Sequence, residues 1–383
     1  MTRRYELDWL RVLLFALLVP HHVAVGFVDW GADIYQFAND RLAGDGMTLF
    51  IYWSHSWRLP SLFLISGVGT WFLTARGSGA GFMGRRLLRL LVPAAFGALA
   101  VNALGGYAIA RMTGDPGSFP AFWRGWLARP EPRHLQHLWF LANLAIYTLA
   151  CWPLLAIRNR LARLALPPPV LAAGLAGLAV LAVALAKPHW AAIAGDGYQF
   201  GYYLVFFLGG LLIGARHAAV LGWAGRRAWA LLAAAVLLFA AKVVLLVLAL
   251  AADPETGQAL AAGGWVPAGR APAHATAFSA IEALTAWAWC LAALGLAARY
   301  LAWPGRALPE LSRAVFPVYV LHFPLTLIGL ALAAQVAAPW PLEFLLLLAF
   351  VYGASWGLWR LADRLGPLRY LIGGRPPRCV RVK

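Results

Sequence analysis

Apolar runs of membrane length recur from one end of this chain to the other, and that recurrence leaves few ways for it to fold. A bilayer core of about 30 Å offers backbone N–H and C=O groups no water, so roughly twenty apolar residues in a row must close their hydrogen bonds within one helix. Ten such runs lie at approximately 7–28, 47–74, 85–110, 136–157, 168–187, 198–215, 228–252, 275–298, 312–335 and 341–362. With 62% hydrophobic and 12% charged residues over 383 positions, an ordinary soluble domain is excluded. The fold expected is all-α, a polytopic integral membrane helical bundle of about ten transmembrane helices. Residues 1–383 then form a single transmembrane domain whose last stretch, 364–383, is a basic cytoplasmic tail.

The net charge of +17 would suggest nucleic acid if it were gathered in a soluble domain. Here the basic residues fall between the apolar runs, and 22 of the 32 Lys and Arg residues lie in alternate connections, beginning with Arg3 and Arg4 and ending at Lys383. That skew reads as N-in and C-in topology, with membrane lipid rather than nucleic acid as the partner. A secretory signal ending at Ala24-Val25-Gly26 would need an apolar core that includes Asp8 and Arg11 or shrinks to Val12–Val19, and many more apolar runs follow it. Cys151, Cys290 and Cys379 show no C-x-x-C spacing, so neither a disulfide framework nor a metal site is expected from them.

Several runs carry groups that membrane insertion disfavours. In LDWLRVLLFALLVPHHVAVG, from Leu7 to Gly26, stand Asp8, Arg11, Pro20, His21 and His22. A charge at bilayer depth costs at least ~2.5–3.5 kcal/mol, so something must retain it. The step from Arg11 to His22 is three helical turns plus about 20°, which places both on one face roughly 16 Å apart along the axis. Asp8 lies one turn before Arg11 and can pair with it. A snorkelling Arg11 and a packed His22 would be the bland alternative.

The second run holds Ser54, His55, Ser56 and Arg58 before Pro60, and the ninth holds Tyr319, His322 and Pro324. Each proline removes a backbone donor beside a polar side chain, opening the helix where a polar ligand could sit. Lys242 and Glu282 are further ionisable groups at depth, able to pair with each other or with Arg58. Arg85, Arg86 and Arg89 form a basic edge that suits phosphates, although positive-inside arginines beside anionic lipid look the same. His134 and His137 have i, i+3 metal-ligand spacing but no neighbouring carboxylate or cysteine, and no metal is assigned. In the segments 29–46 and 111–135, aspartates and the rings of Phe119, Phe122, Trp123 and Trp126 would suit a carbohydrate; an interfacial aromatic belt with ordinary solvated loops explains most of them better.

Six of these segments, in order and spanning nearly the whole chain, resemble the membrane-bound acyltransferase-three family: LDWLRVLLFALLVPHH, HSWRLPSLFLISG, Arg86-x-x-Arg89, HLWFL, LVFFLGGLL and VYVLHFPLTL. HSWR, HLWFL and VLHFPLTL are most similar to its glucan-biosynthesis branch, the periplasmic glucan succinyltransferases. The resemblance implies a bacterial inner-membrane enzyme that moves an acyl group, succinyl in that branch, from cytoplasmic acyl-CoA to a hydroxyl of an extracytoplasmic glycan. Acyl-CoA is then a donor substrate and no cofactor is permanently bound. The partners implied are acyl-CoA, the glycan acceptor, membrane lipid and glucan-synthesis proteins.

By the same resemblance, His22 is base or transient acyl carrier, with Arg11 and Asp8 on its helix and His322, His55 and Arg58 as further catalytic residues. Arg86 and Arg89, with Arg85 beside them, take the CoA phosphates. His21 next to His22, and Arg85 next to Arg86, leave both assignments resting on spacing. A secondary transporter using midplane charges, or a non-enzymatic polysaccharide-assembly scaffold, is the alternative. No internal repeat favours the first, and the second would leave the polar face dispensable.

Overall fold

A computed structural model describes residues 3–37, 39–75, 79–129, 132–163, 166–186, 197–255, 272–336, 338–366 and 368–374. Among these residues every regular element is helical, and helix is present in each of the ten apolar runs. Six helices are long and apolar enough to cross a membrane: Tyr5–Val25, Ala80–Thr113, Ala228–Ala252, Ala277–Tyr300, Leu308–Ala333 and Trp340–Arg364. A seventh span results if Phe200–Ala215 and His217–Arg226, bent through 100°, are one broken crossing. The protein is an all-helical integral membrane protein. Arg76, Lys187, Arg270 and the tail past Gly374, with Cys379, lie outside the described residues.

The remaining runs fall short for physical reasons. Asp45–Thr74 is 30 residues long, but Asp45, His55 and Arg58 lower its hydropathy. The run expected as one helix at 136–157 is cut into Pro132–Leu138, Trp139–Ala150 and Trp152–Ala156. Gln136 turns the chain with φ 43°, and Pro153 has no N–H with which to continue the preceding helix.

The chain forms two compact units, one comprising Met1–Leu10, His55–Phe82 and Ile146–Pro304, the other Arg11–Ser54, Met83–Ala145 and Gly305–Lys383. In the first, Ala228–Ala252 packs along Pro272–Tyr300. Its buried residues are Ala228, Ala235, Lys242 and Ala249, seven apart. Small side chains in a narrow stripe let the two backbones approach, and Lys242 takes one place in that stripe. Its ammonium donates to Ser56 Oγ at 3.1 Å and lies 3.5 Å from Glu282 Oε1. Lys242 and Glu282 therefore form the structural pair that their sequence positions allow, and removing one partner of such a pair costs about 3–5 kcal/mol. Arg58, only 2% exposed, belongs to the same unit, where Trp57 stacks on Trp289 at 5.3 Å.

Two of the segments that suggested the family meet in this unit. A methyl group on Gly67 would collide with the Phe207 carbonyl, and one on Gly210 with the Leu64 carbonyl. The ISG and LGGLL motifs are thus the two sides of one close helix crossing. Gly210→Ala is expected to destabilise by about 1–3 kcal/mol or more, because backbone cannot move aside cheaply. Gly174→Ala, where the added carbon meets nothing within 4 Å, serves as the control. Thermal unfolding in detergent should show a lowered midpoint for the first variant only.

The second unit is built around Leu308–Ala333, which packs on Asn102–Thr113, Trp340–Arg364 and Leu18–Val25. A Cβ on Gly105 would stand 2.9 Å from Pro324 Cα, so the glycine admits the neighbouring helix where the proline opens its own. Val19, Val23, Phe27, Leu327, Leu330 and Leu347 share one apolar core in this unit. A π-helical turn at Gly97–Val101 leaves two carbonyls to the indoles of the helix Phe119–Ala128: Trp126 donates to Ala98 at 2.9 Å and Trp123 to Leu99 at 2.8 Å. Those tryptophans hold an amphipathic helix in place, whatever else their exposed faces do.

Candidate active site

The side chains with chemistry in the second unit gather where two helices are opened by proline. The first span is two pieces, Tyr5–Ala16 and Leu18–Val25, with Pro20 just inside the second. Having no N–H, Pro20 cannot bond the Ala16 carbonyl four residues back, and the Tyr352 hydroxyl donates to that oxygen instead. Pro324 acts likewise on Leu308–Ala333. It leaves the Val320 carbonyl without its helical donor, and beside it His137 bonds the Tyr319 carbonyl. Each proline stands two residues from a histidine, Pro20 before His22 and Pro324 after His322.

His22 and His322 are brought together, their ring centroids 5.3 Å apart. The Tyr319 carbonyl accepts two imidazole N–H groups, Nδ1 of His322 at 2.7 Å and Nε2 of His137 at 2.9 Å. In return the Tyr319 hydroxyl donates to the His137 carbonyl at 2.5 Å. These bonds fix tautomers: neutral His322 carries its lone pair on Nε2, and neutral His137 on Nδ1. The His137 and His322 rings meet edge to face at 4.9 Å, and His137 lies flat on Phe323 at 5.1 Å.

Tyr35 orients His22 in the same manner. Its hydroxyl donates to the His22 carbonyl at 2.7 Å, so toward Nδ1 of that residue, 3.4 Å away, the phenol oxygen can only accept. The proton is thereby favoured on Nδ1 and the lone pair on Nε2. Tyr35 is 4% exposed and packs on Phe323, so it is a support for the imidazole rather than a platform for a sugar. The neighbour His21 is held differently. Ser54 gives its proton to the Ile51 carbonyl at 3.1 Å and accepts from His21 Nδ1 at 2.7 Å. His22, half-buried, faces the other imidazoles; His21, 5% exposed, ties its helix to Ser54.

Residues 4–360, which contain this whole cluster, match the acyltransferase-3 family, described as an acyltransferase domain. The chain belongs to that family. No curated protein and no solved structure matches it. An acyltransferase-3 domain on six or more membrane-length helices is a membrane acyltransferase.

The other site residues read from the sequence of this acyltransferase-3 protein fall as follows. Arg11, half-buried, lies in the second unit on the first piece of the broken span. Arg86 and Arg89, one turn apart near the start of Ala80–Phe96, belong to it too and are close enough for their charges to oppose each other. Arg86 is half-buried, while Arg85 and Arg89 are exposed. Asp8, His55 and Arg58 belong to the first unit. Asp8 accepts from Arg3 Nε at 2.8 Å, a partner its spacing to Arg11 did not suggest.

His134 and His137 do not act as a chelating pair. His134 stacks on Trp126 at 3.6 Å while His137 turns to Tyr319. Among the described residues no three His, Cys, Asp or Glu side chains converge as metal ligands. What sequence reasoning missed is His137 as a partner of His322 and Tyr35 as a partner of His22. The HLWFL segment marked position 137 in the sequence without saying what its imidazole would meet, and nothing tied Tyr35 to His22.

His137→Phe keeps a ring against Phe323 but deletes the N–H that shares the Tyr319 carbonyl. Loss of such a supporting bond is expected to lower kcat about 10- to 100-fold. KM for the acyl donor should stay within about twofold, which steady-state kinetics would separate.

Proposed function

We propose that this acyltransferase transfers an acyl group from cytoplasmic acyl-CoA to a hydroxyl of an extracytoplasmic glycan, in a bacterial inner membrane crossed about ten times with both termini inside. The observation that carries the reading is the convergence of His22 and His322, their rings 5.3 Å apart, with Nδ1 of each turned to an oxygen of Tyr35 or Tyr319. An imidazole so arranged is a base for an alcohol. His22 Nε2 takes the proton of the acceptor hydroxyl, the oxygen attacks the thioester carbonyl, and the tetrahedral intermediate expels CoA thiolate, which recovers a proton.

The basic edge at Arg86 and Arg89 supports docking of the CoA diphosphate, since guanidinium forks match phosphate oxygens. Arg11, on the same helix face as His22 by its spacing, would reach the pantetheine arm or a phosphate. Succinyl as the acyl group and a periplasmic glucan as acceptor rest on the likeness of HSWR, HLWFL and VLHFPLTL to the glucan branch. The test is mass spectrometry of envelope glycans from cells with and without the protein, beside purified protein given labelled acyl-CoA. An acyl-modified glycan that disappears with the protein supports the reading. Glycans identical in both cells, with no acyl product from the purified protein, would overturn it and favour a carrier or scaffold.

A further inference from the structure

The second unit also contains an apolar groove of about 230 Å³. Its walls come from Phe96 on one helix, Leu321 and Pro324 on the histidine-bearing helix, and Leu358 and Leu361 on Trp340–Arg364. Every residue lining it is apolar, so it offers nothing to a thioester or a sugar hydroxyl. Apolar cavities of ~150 Å³ stay dry and accept small hydrocarbons. The helices forming this one are membrane-length, and the hydrocarbon that meets them there is a lipid chain.

One end of the groove decides which lipid. Leu365 and Leu368 are among the groove's lining residues, and their neighbours in the sequence are Arg364 and Arg369. Arg360 is already engaged with Glu310, and Asp363, on the same turn, leaves a positive balance. Arg369 Nε is buried and has no hydrogen-bond partner among the described residues. A guanidinium cannot discard its charge, and an unsatisfied N–H on one is matched by a phosphate oxygen. Basic pockets at the ends of membrane helices bind anionic headgroups for this reason.

We propose that this groove holds one acyl chain of an anionic phospholipid whose phosphate is bound by Arg369 and Arg364. The chain then lies against Pro324, on the turn that presents His322, and braces it from the side. The site is independent of the reaction proposed above.

The full-length protein, purified and exchanged into nanodiscs of phosphatidylglycerol or of phosphatidylcholine, is examined by native mass spectrometry and thermal unfolding. Wild type should retain one phosphatidylglycerol, release phosphatidylcholine, and unfold several degrees higher in the anionic lipid. Leu358→Trp, at a position 43% exposed and therefore tolerant of bulk, fills the groove and should cut retention at least tenfold. Arg369→Gln with Arg364→Gln leaves the groove open and should remove the preference for the anionic headgroup. Equal retention in wild type and Leu358→Trp overturns the chain site. Unchanged preference for phosphatidylglycerol in the double arginine variant overturns the phosphate site.

Discussion

His22→Ala is expected to reduce acyl transfer by about 10²- to 10⁴-fold, the usual contribution of a positioned general base. The effect should appear in kcat, because the imidazole acts on the proton that moves in the transition state rather than on the bound donor. Folding should survive, since His22 is half-buried and its backbone carbonyl keeps the Tyr35 bond. His21→Ala is the matched contrast. It removes the bond to Ser54 and should lower the unfolding midpoint, with a much smaller loss of turnover in the protein that remains folded. Should the two variants exchange these phenotypes, the catalytic role passes to His21; unaltered turnover in His22→Ala would take that residue out of the mechanism.

Replacing Arg86 and Arg89 together with alanine should weaken acyl-CoA binding by about 10²- to 10⁴-fold. Hydrogen bonds to charged groups contribute about 1.5–3 kcal/mol each, and every 1.4 kcal/mol is tenfold in affinity. Isothermal titration of CoA against the protein in detergent reads this directly. Arg85→Ala is the comparison, because its exposed side chain leaves the helix about 100° from that of Arg86. A loss in Arg85→Ala equal to that of the pair would mean a diffuse basic surface; an unaltered affinity in the double variant would return both arginines to a topological role.

How much of this was legible in the chain differs by feature. That each apolar run would carry helix was, because a run of some twenty apolar residues has one way to satisfy its backbone, although the run at 136–157 is cut into three. So were the openings at Pro20 and Pro324, since the missing N–H is a property of the residue alone. The approach of His22 to His322 was not, because no periodicity links positions 300 residues apart. His137 carried the appearance of a metal ligand because i, i+3 spacing assumes a helix, whereas Gln136 interrupts it with a positive φ. The seam of Ala228, Ala235 and Ala249 that carries Lys242 was hidden for the opposite reason. Where nearly every neighbour is Ala, Leu or Val, the buried alanines look like the exposed ones.

The oxygen that orders His137 and His322 belongs to the main chain at Tyr319. No replacement of that side chain can delete it, although the Tyr319 hydroxyl would be lost. The arrangement is therefore tolerant of point changes at position 319 and vulnerable to insertions. One extra residue between Tyr319 and His322 would turn the His322 ring about 100° around the helix axis relative to that carbonyl and take away the atom that aligns it.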